Sequence, residues 1–505
     1  MSDNAGSRGR DGHQRPGARR RSAHHRSTQR PAERARRTDP ARLTAYTGMR
    51  EISDGAYGNL ALPRLLREKR IRGRDAAFAT ELVYGATRMS GLYDAITAVA
   101  ADRPVAAIDS RVLDTIRLGA HQLLGMRVPT HAAVDETVAL ARQVNGAGAA
   151  GFVNAIMRRI SERQPDEWIE IVTATAADPI EAMAVRTSHP LWITKALRAA
   201  LIGHGAATAQ DVDAQLEALL EADNTPAKVS LVARPGLCSV EELIQAGAQA
   251  STTSRVGAIL DEGDPGAIDA IREGRAAVQD EGSQLVALAL ADAVVEGAAQ
   301  ERERWLDLCA GPGGKAALLA AIAVGRRIPF VANDISTHRA DLVRQTLRAV
   351  GDLADEVTSL VEVRTGDARD IGDADPGAYS RVLIDAPCTG LGALRRRPEA
   401  RWRRSPGDVP ALASLQRELL GSGITATARG GLIAYATCSP HLNETRFVVE
   451  DVMRKRDDVE LLDARPLFVD ARGEPVDSLG PGPFVQLWPH VHGTDAMFLA
   501  LLRAR

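Results

Sequence analysis

Residues 304–325 read RWLDLCAGPGGKAALLAAIAVG, and this stretch passes through three kinds of local structure. RWLDLCA reads as a short strand. Gly311, Pro312, Gly313 and Gly314 follow as a turn without side chains, where backbone can approach a ligand closely. GKAALLAAIAVG reads as a helix. The turn is not GxGxxG. Nor is it a phosphate loop, because Lys315 is followed by Ala316 instead of Ser or Thr. A nucleoside triphosphate is therefore disfavoured as its ligand.

Outward from that stretch the alternation continues. PFVAND, LVEVRTGDA, SRVLIDAP and GLIAYATC read as strands, and THRADLVRQTLRAV, VPALASLQRELLGSGITATA and NETRFVVEDVMRKR read as helices. The pattern predicts a Rossmann-like α/β domain over residues 280–505, with a doubly wound, mostly parallel sheet. Ligands of such sheets sit beyond the C-terminal ends of the strands. Four successive strands end in acids: Asp307, Asp334, Asp367 and Asp385. Asp334 lies about twenty residues past the glycine turn, where a ribose diol is held. Asp367 can accept from an adenine amino group. Four carboxylates would repel a triphosphate but suit a nucleoside without phosphates. S-adenosylmethionine, with its ribose, adenine, amino acid and sulfonium, meets that requirement.

The chain has four cysteines, Cys238, Cys309, Cys388 and Cys438, none in a CxxC or zinc-type spacing. We expect no metal, and thiols held reduced in a cytoplasm. Cys388 (DAPCTGLG) and Cys438 (YATCSP) both end strands beside prolines. Such thiols suit methylation at carbon 5 of a pyrimidine, which is a poor nucleophile. A thiolate added at carbon 6 turns the ring into an enamine-like species whose carbon 5 can attack a sulfonium methyl. Asp385, three residues before Cys388, could donate to N3 if protonated, or accept from the exocyclic amine as carboxylate. Spacing alone leaves open which of the two cysteines attacks. Cys309 reads as structural and Cys238 as inert.

At 505 residues the chain suggests about three domains. Its 45% hydrophobic and 25% charged residues are those of a globular protein. No run of about eighteen apolar residues appears, so no membrane span is expected. The N-terminus lacks the apolar core of a secretory signal, while its Arg-rich composition leaves a transit peptide open. Residues 1–42 hold 12 arginines and 4 acids, although the whole chain carries a net charge of −2. We expect a disordered, Arg-rich tail there, able to touch phosphate backbones. Residues 43–165 read as an all-α bundle, with Val112, Ile116, Ala120 and Leu123 at helical spacing. Residues 166–279 read as a helical linker and a small α+β module, with AKVSLVARPG as a strand and Ser239 capping the helix of SVEELIQAGAQA.

DLCAGPGGK, GDARD, DAPCTGLG and ATCSP, in that order, resemble the motifs of the RNA cytosine-C5 methyltransferases of the Sun/NOL1/NOP2 family. VPTHAAVDETVALAR and GFVNAIMRRI resemble a NusB-type RNA-binding domain. The combination implies 16S ribosomal RNA as substrate, and we expect a monomer. The alternatives are a tRNA cytosine-C5 methyltransferase or a non-catalytic NusB-like assembly factor. A DNA enzyme is disfavoured, since no large insert separates the motifs. The resemblance implies that Cys309, Ala310, Gly311, Pro312, Gly313, Gly314 and Lys315, with Asp334, Asp367 and Asp385, bind S-adenosylmethionine. It implies that Cys438 is the nucleophile, that Cys388 assists product release, and that Asp385 contacts the cytosine. Asp495-Ala496-Met497-Phe498 departs from the family's usual Asp-Gly-Phe-Phe.

GALRRRPEARWRRSP (392–406) directly follows the Cys388 turn and carries six arginines. We expect Arg395, Arg396, Arg397 and Arg401 to clamp the RNA backbone, with Trp402 as a stacking partner. The target base would be unpaired or flipped from its stack.

Overall fold

A computed structural model of the chain describes residues 38–301, 303–352 and 360–505. The expected tail lies outside the described residues as far as residue 37. Residues 40–42 depart from that expectation, because they form the first turn of the helix Pro40–Ser53. Asp39 caps it, accepting from the Ala41 N–H at 3.1 Å, and Pro40 supplies a preset φ at the first helical position.

Seven helices, from Pro40–Ser53 to Ala147–Ser161, make the N-terminal bundle. Its interior is aliphatic, with Leu82, Val83, Ile96, Ile116, Val153 and Met157 all buried. Four more helices, Pro165–Thr173, Pro179–Arg186, Leu191–Gly203 and Val212–Asn224, lead away from it. Ile193, Leu197, Leu216 and Leu220 from these helices share one core with Leu391, Leu394 and Trp488 of the C-terminal domain. The expected linker is thus packed directly against the segment that follows Cys388.

A small antiparallel sheet comes next: β1 (Val229–Ala233), β2 (Gln249–Ala250), β3 (Gly257–Leu260) and β4 (Ala276–Val278), in spatial order β2-β3-β1-β4. Ser239 caps the helix Val240–Gln245 as expected, but the end of the predicted helix, Gln249–Ala250, is strand.

The C-terminal domain holds an eight-stranded sheet. Its strands are β5 (Trp305–Asp307), β6 (Phe330–Asp334), β7 (Val361–Thr365), β8 (Tyr379–Asp385), β9 (Thr427–Thr437), β10 (Val459–Leu462), β11 (Val485–Gln486) and β12 (Phe498–Ala504). The order is β10-β12-β9-β8-β5-β6-β7, with β11 paired to β12. β5 to β9 are parallel, whereas β12 runs antiparallel to β9 and β10. The chain first moves from β5 outward to β7, then crosses back to β8, so the order reverses beside β5. That switch point is where an open α/β sheet leaves a crevice for a ligand. The helix Gly314–Gly325 shows no polar face because every residue from Lys315 to Val324 is buried. Among the described residues no helix is long and apolar enough to cross a membrane.

Candidate active site

Strands β9, β8 and β5 are neighbours and parallel, so the turns that leave them meet at one edge of the sheet. The Ala386 N–H donates to the Ala436 carbonyl and the Gly392 N–H to the Cys438 carbonyl, each at 2.9 Å. These bonds bring the Sγ atoms of Cys388 and Cys438 to 3.5 Å. Glu444 fixes both turns from beneath. Its fully buried carboxylate accepts from the Thr389 N–H and the Ser439 hydroxyl, each at 2.7 Å, and from the Thr389 hydroxyl. No local pattern in NETRF marks this role, because its partners lie 5 and 55 residues away.

The charge around the thiols is asymmetric. The Cys438 thiol sits below its ordinary pKa, first because Cys388 hydrogen-bonds to it, and further because Lys315 and Arg397 are near; together these outweigh burial and the Asp385 carboxylate. Cys388 is pushed well above the ordinary thiol value, by that same bond and by burial. The two Sγ atoms are close enough to share one proton, and either can be its donor. Lys315 donates to Asp385 Oδ2 at 2.8 Å. Burial alone would lower the Lys315 ammonium, but Asp385, Cys438 and Asp307 hold it above the usual lysine value. Cys309 is pushed up by burial and by Asp307, and Cys238 by burial to about 11; neither is poised for attack.

The glycine turn forms the floor beside this pair. Gly313 has φ +114°, which a side chain would strain, and starts the helix that carries Lys315. Asp334 Oδ2 accepts from the Gly311 N–H at 3.0 Å and Oδ1 from the Ser336 N–H at 2.9 Å. Arg339 reaches across the turn to Asp334 at 3.4 Å and to the Gly311 carbonyl. Asp367 is paired with Arg369 at 2.6 Å, whose hydrogen bonds hold its carboxyl below the usual range. Two buried polar groups at this turn are incompletely satisfied. Asp307 Oδ2 has no partner, and burial together with the Asp385 carboxylate pushes Asp307 up to about 8. Both amide atoms of Gln279 are likewise unpaired, and its nitrogen would lie 3.9 Å from a Cβ placed on Gly314. Buried polar atoms are rarely left orphaned. Here they face a bare turn between strand-end acids, which fits a ligand carrying both donors and acceptors. Sequence reasoning missed Gln279, since it lies outside the glycine-turn motif.

The expected arginine clamp is rearranged. Arg401 is fully buried and donates to the carbonyls of Arg88, Ser188 and Asp223 and to Asn224 Oδ1. Trp402 donates to the Thr87 carbonyl at 3.2 Å with its ring over Gly91, although 40% of it stays exposed. Arg401 is a docking peg on the helical half, which corrects its reading as an RNA contact, whereas Trp402 is anchored there by its indole N–H with part of its ring left open. The cause is a set of helix-end carbonyls there, which need donors. Arg395 pairs with Asp280 at 3.1 Å and Arg396 hydrogen-bonds Asp495 at 2.9 Å, so both are already neutralised within the protein. Asp495 is thus anchored by arginine and by its own N–H to Asp280, and the departure at Ala496 leaves that turn intact. Arg397 is the one arginine of the expected clamp that is exposed and makes no ion pair among the described residues.

A switch-point crevice with a glycine turn, strand-end acids and no phosphate loop defines the Rossmann-like methyltransferase class. Residues 295–503 match the family described as 16S rRNA methyltransferase RsmB/F, and residues 39–162 match the NusB family. A Mycobacterium tuberculosis protein named as a methyltransferase is 50% identical over 474 residues, spanning 93% of this chain and 98% of its own. The ribosomal RNA small subunit methyltransferase B of Pseudomonas putida is 32% identical over 431 residues, spanning 84% and 91%. Among solved structures, PH0851 superposes with a TM-score of 0.74 at 19% identity, covering 93% of this chain and 99% of that one, which shows a shared fold. The chain belongs to the RsmB/F family of 16S rRNA methyltransferases. It is an RNA methyltransferase, and its methyl donor is S-adenosylmethionine.

Proposed function

We propose that this enzyme methylates carbon 5 of a cytosine in 16S ribosomal RNA through a covalent bond from Cys438 Sγ to carbon 6. The observation that carries the reading is the thiol pair, 3.5 Å apart, with the cations Lys315 and Arg397 acting on Cys438. S-adenosylmethionine, held between the Cys309–Lys315 turn and Asp334, Asp367 and Asp385, supplies the sulfonium methyl that carbon 5 takes up. Everything else falls to the protein's own side chains. Cys438 adds to carbon 6 as thiolate. Asp385, fixed by Lys315, meets the Watson–Crick edge of the base, where charge develops during addition. Cys388 Sγ stands beside the adduct. After methyl transfer Cys388 passes its proton to water, and its thiolate takes the proton from carbon 5, so that Cys438 leaves carbon 6 as thiolate and the ring is restored. Glu444 keeps the two turns in register for both steps.

Mass mapping of 5-methylcytosine in 16S ribosomal RNA tests this. The modified nucleotide should vanish when the gene is deleted and return with the wild-type gene but not with Cys438→Ala. Unchanged 5-methylcytosine in the deletion strain would refute the reading.

A further inference from the structure

A cleft of about 340 Å³ lies between the helical bundle, the small sheet and the segment that follows Cys388. Tyr84 and Arg88 line it from the bundle, Lys228 from the approach to the small sheet, and Arg395 to Arg397 from the catalytic side. Its size falls in the range, roughly 300–1,000 Å³, of sites that enclose small ligands.

Arg88 is the unusual member. It is only 5% exposed, its Nε is buried without a partner, and its guanidinium makes no hydrogen bond or ion pair with any described residue. A buried arginine is normally paired, because an uncompensated charge costs several kcal/mol. Glu81, which also lines the cleft, acts on Arg88 through charge alone, and no acid there makes an ion pair with it. Glu81 faces His121 at 3.4 Å, Glu399 accepts from the Gly58 N–H at 3.2 Å, and Asp280 is held by Arg395 at 3.1 Å. Burial pulls the Arg88 guanidinium below its usual pKa, outweighing the opposing pull of Glu81, Tyr84 and Tyr93. Arg397, the second cation without a carboxylate partner, lines the same cleft, and its charge also reaches Cys438.

We propose that this cleft is an anion site for the RNA strand flanking the target cytosine, with Arg88 and Arg397 each taking a phosphodiester. The proposal rests on the reading of the enzyme as an RNA cytosine methyltransferase, and adds where the strand runs: from the thiol pair along Arg397 to the last turn of the helix Gly73–Arg88. It also gives the bundle a direct part in holding substrate. Arg88 is kept without a protein partner because the RNA supplies one.

The test is binding of a labelled, unpaired oligoribonucleotide by fluorescence anisotropy across a salt series, with melting temperatures measured in parallel. Arg88→Met should weaken binding about tenfold and lower the slope of log K against log salt by about one. Its melting temperature should stay level or rise, since an unpaired buried charge has been removed. Arg88→Lys should recover part of the affinity. If Arg88→Met does not fold, Arg397→Gln must show the same loss of slope. Unchanged affinity and slope, or a fall in melting temperature as the sole effect, would overturn the proposal. The assay needs no methyl transfer. Arg88-dependent binding without 5-methylcytosine would leave the anion site standing and sink the catalytic reading instead.

Discussion

Two regions meet at the Cys388 turn and treat charge in opposite ways. On the sheet side, Lys315, Asp385, Asp307 and the two thiols sit together incompletely neutralised, with Asp307 Oδ2 unpaired and the two Sγ atoms 3.5 Å apart. On the other side the segment 395–404 is as rich in charge, yet its arginines are mostly satisfied. Arg395 and Arg396 meet Asp280 and Asp495, Arg401 meets three carbonyls, and Arg403 meets the Ile52 and Ala56 carbonyls. Similar composition is thus left underpaired in one place and serves domain docking in the other. What separates them is whether the protein itself supplies the partner. Perturbed, underpaired groups in a crevice mark chemistry, whereas fully paired ones mark architecture.

That contrast can be broken at either side. The largest effect is expected from Cys438→Ala, which should lower turnover at least ~10³-fold in a methyl-transfer assay while leaving the melting temperature unchanged. Loss of fold instead of rate would place Cys438 with the architecture. Arg401→Ala should do the reverse. Three buried carbonyls would lose their donor, and the cost should be about 3 kcal/mol of stability by denaturant unfolding. A variant as stable as wild type would show that the peg carries no load.

A smaller effect sharpens the sheet side. Folding raises Asp307 from 3.8 to about 8, so it favours the protonated acid. Its contribution to stability is complete below pH 3.8 and is lost as pH rises through about 8. Asp307→Asn, which cannot ionise, should flatten the fall in melting temperature over that window and gain on wild type at its alkaline end. Parallel curves for the two proteins would mean that Asp307 is not buried as described.

These regions also differ in how far the sequence discloses them. The glycine turn, strand-end acids and two cysteines were legible because strand, turn and helix start fall within about ten consecutive residues. Backbone geometry there follows from local glycine and proline. Which cysteine attacks was not legible from spacing. The groups that act on the Cys438 thiol, Cys388 first and then Asp385, Lys315 and Arg397, reach it only after folding. The fate of the arginines was hidden for a similar reason. Arg401 finds its acceptors 313, 213 and 178 residues away, and nothing in GALRRRPEARWRRSP distinguishes a buried peg from an exposed clamp. The small sheet was only partly read, since strands of two to four residues carry too little alternation to be seen.

The most direct test of the thiol assignment is peptide mass mapping of Cys388→Ala after incubation with S-adenosylmethionine and ribosomal RNA. With the releasing thiol gone, a methylcytosine-bearing fragment should remain attached, and it should map to Cys438. Absence of any protein–RNA adduct in that variant, or an adduct that forms when Cys438 is the residue replaced, would contradict the account.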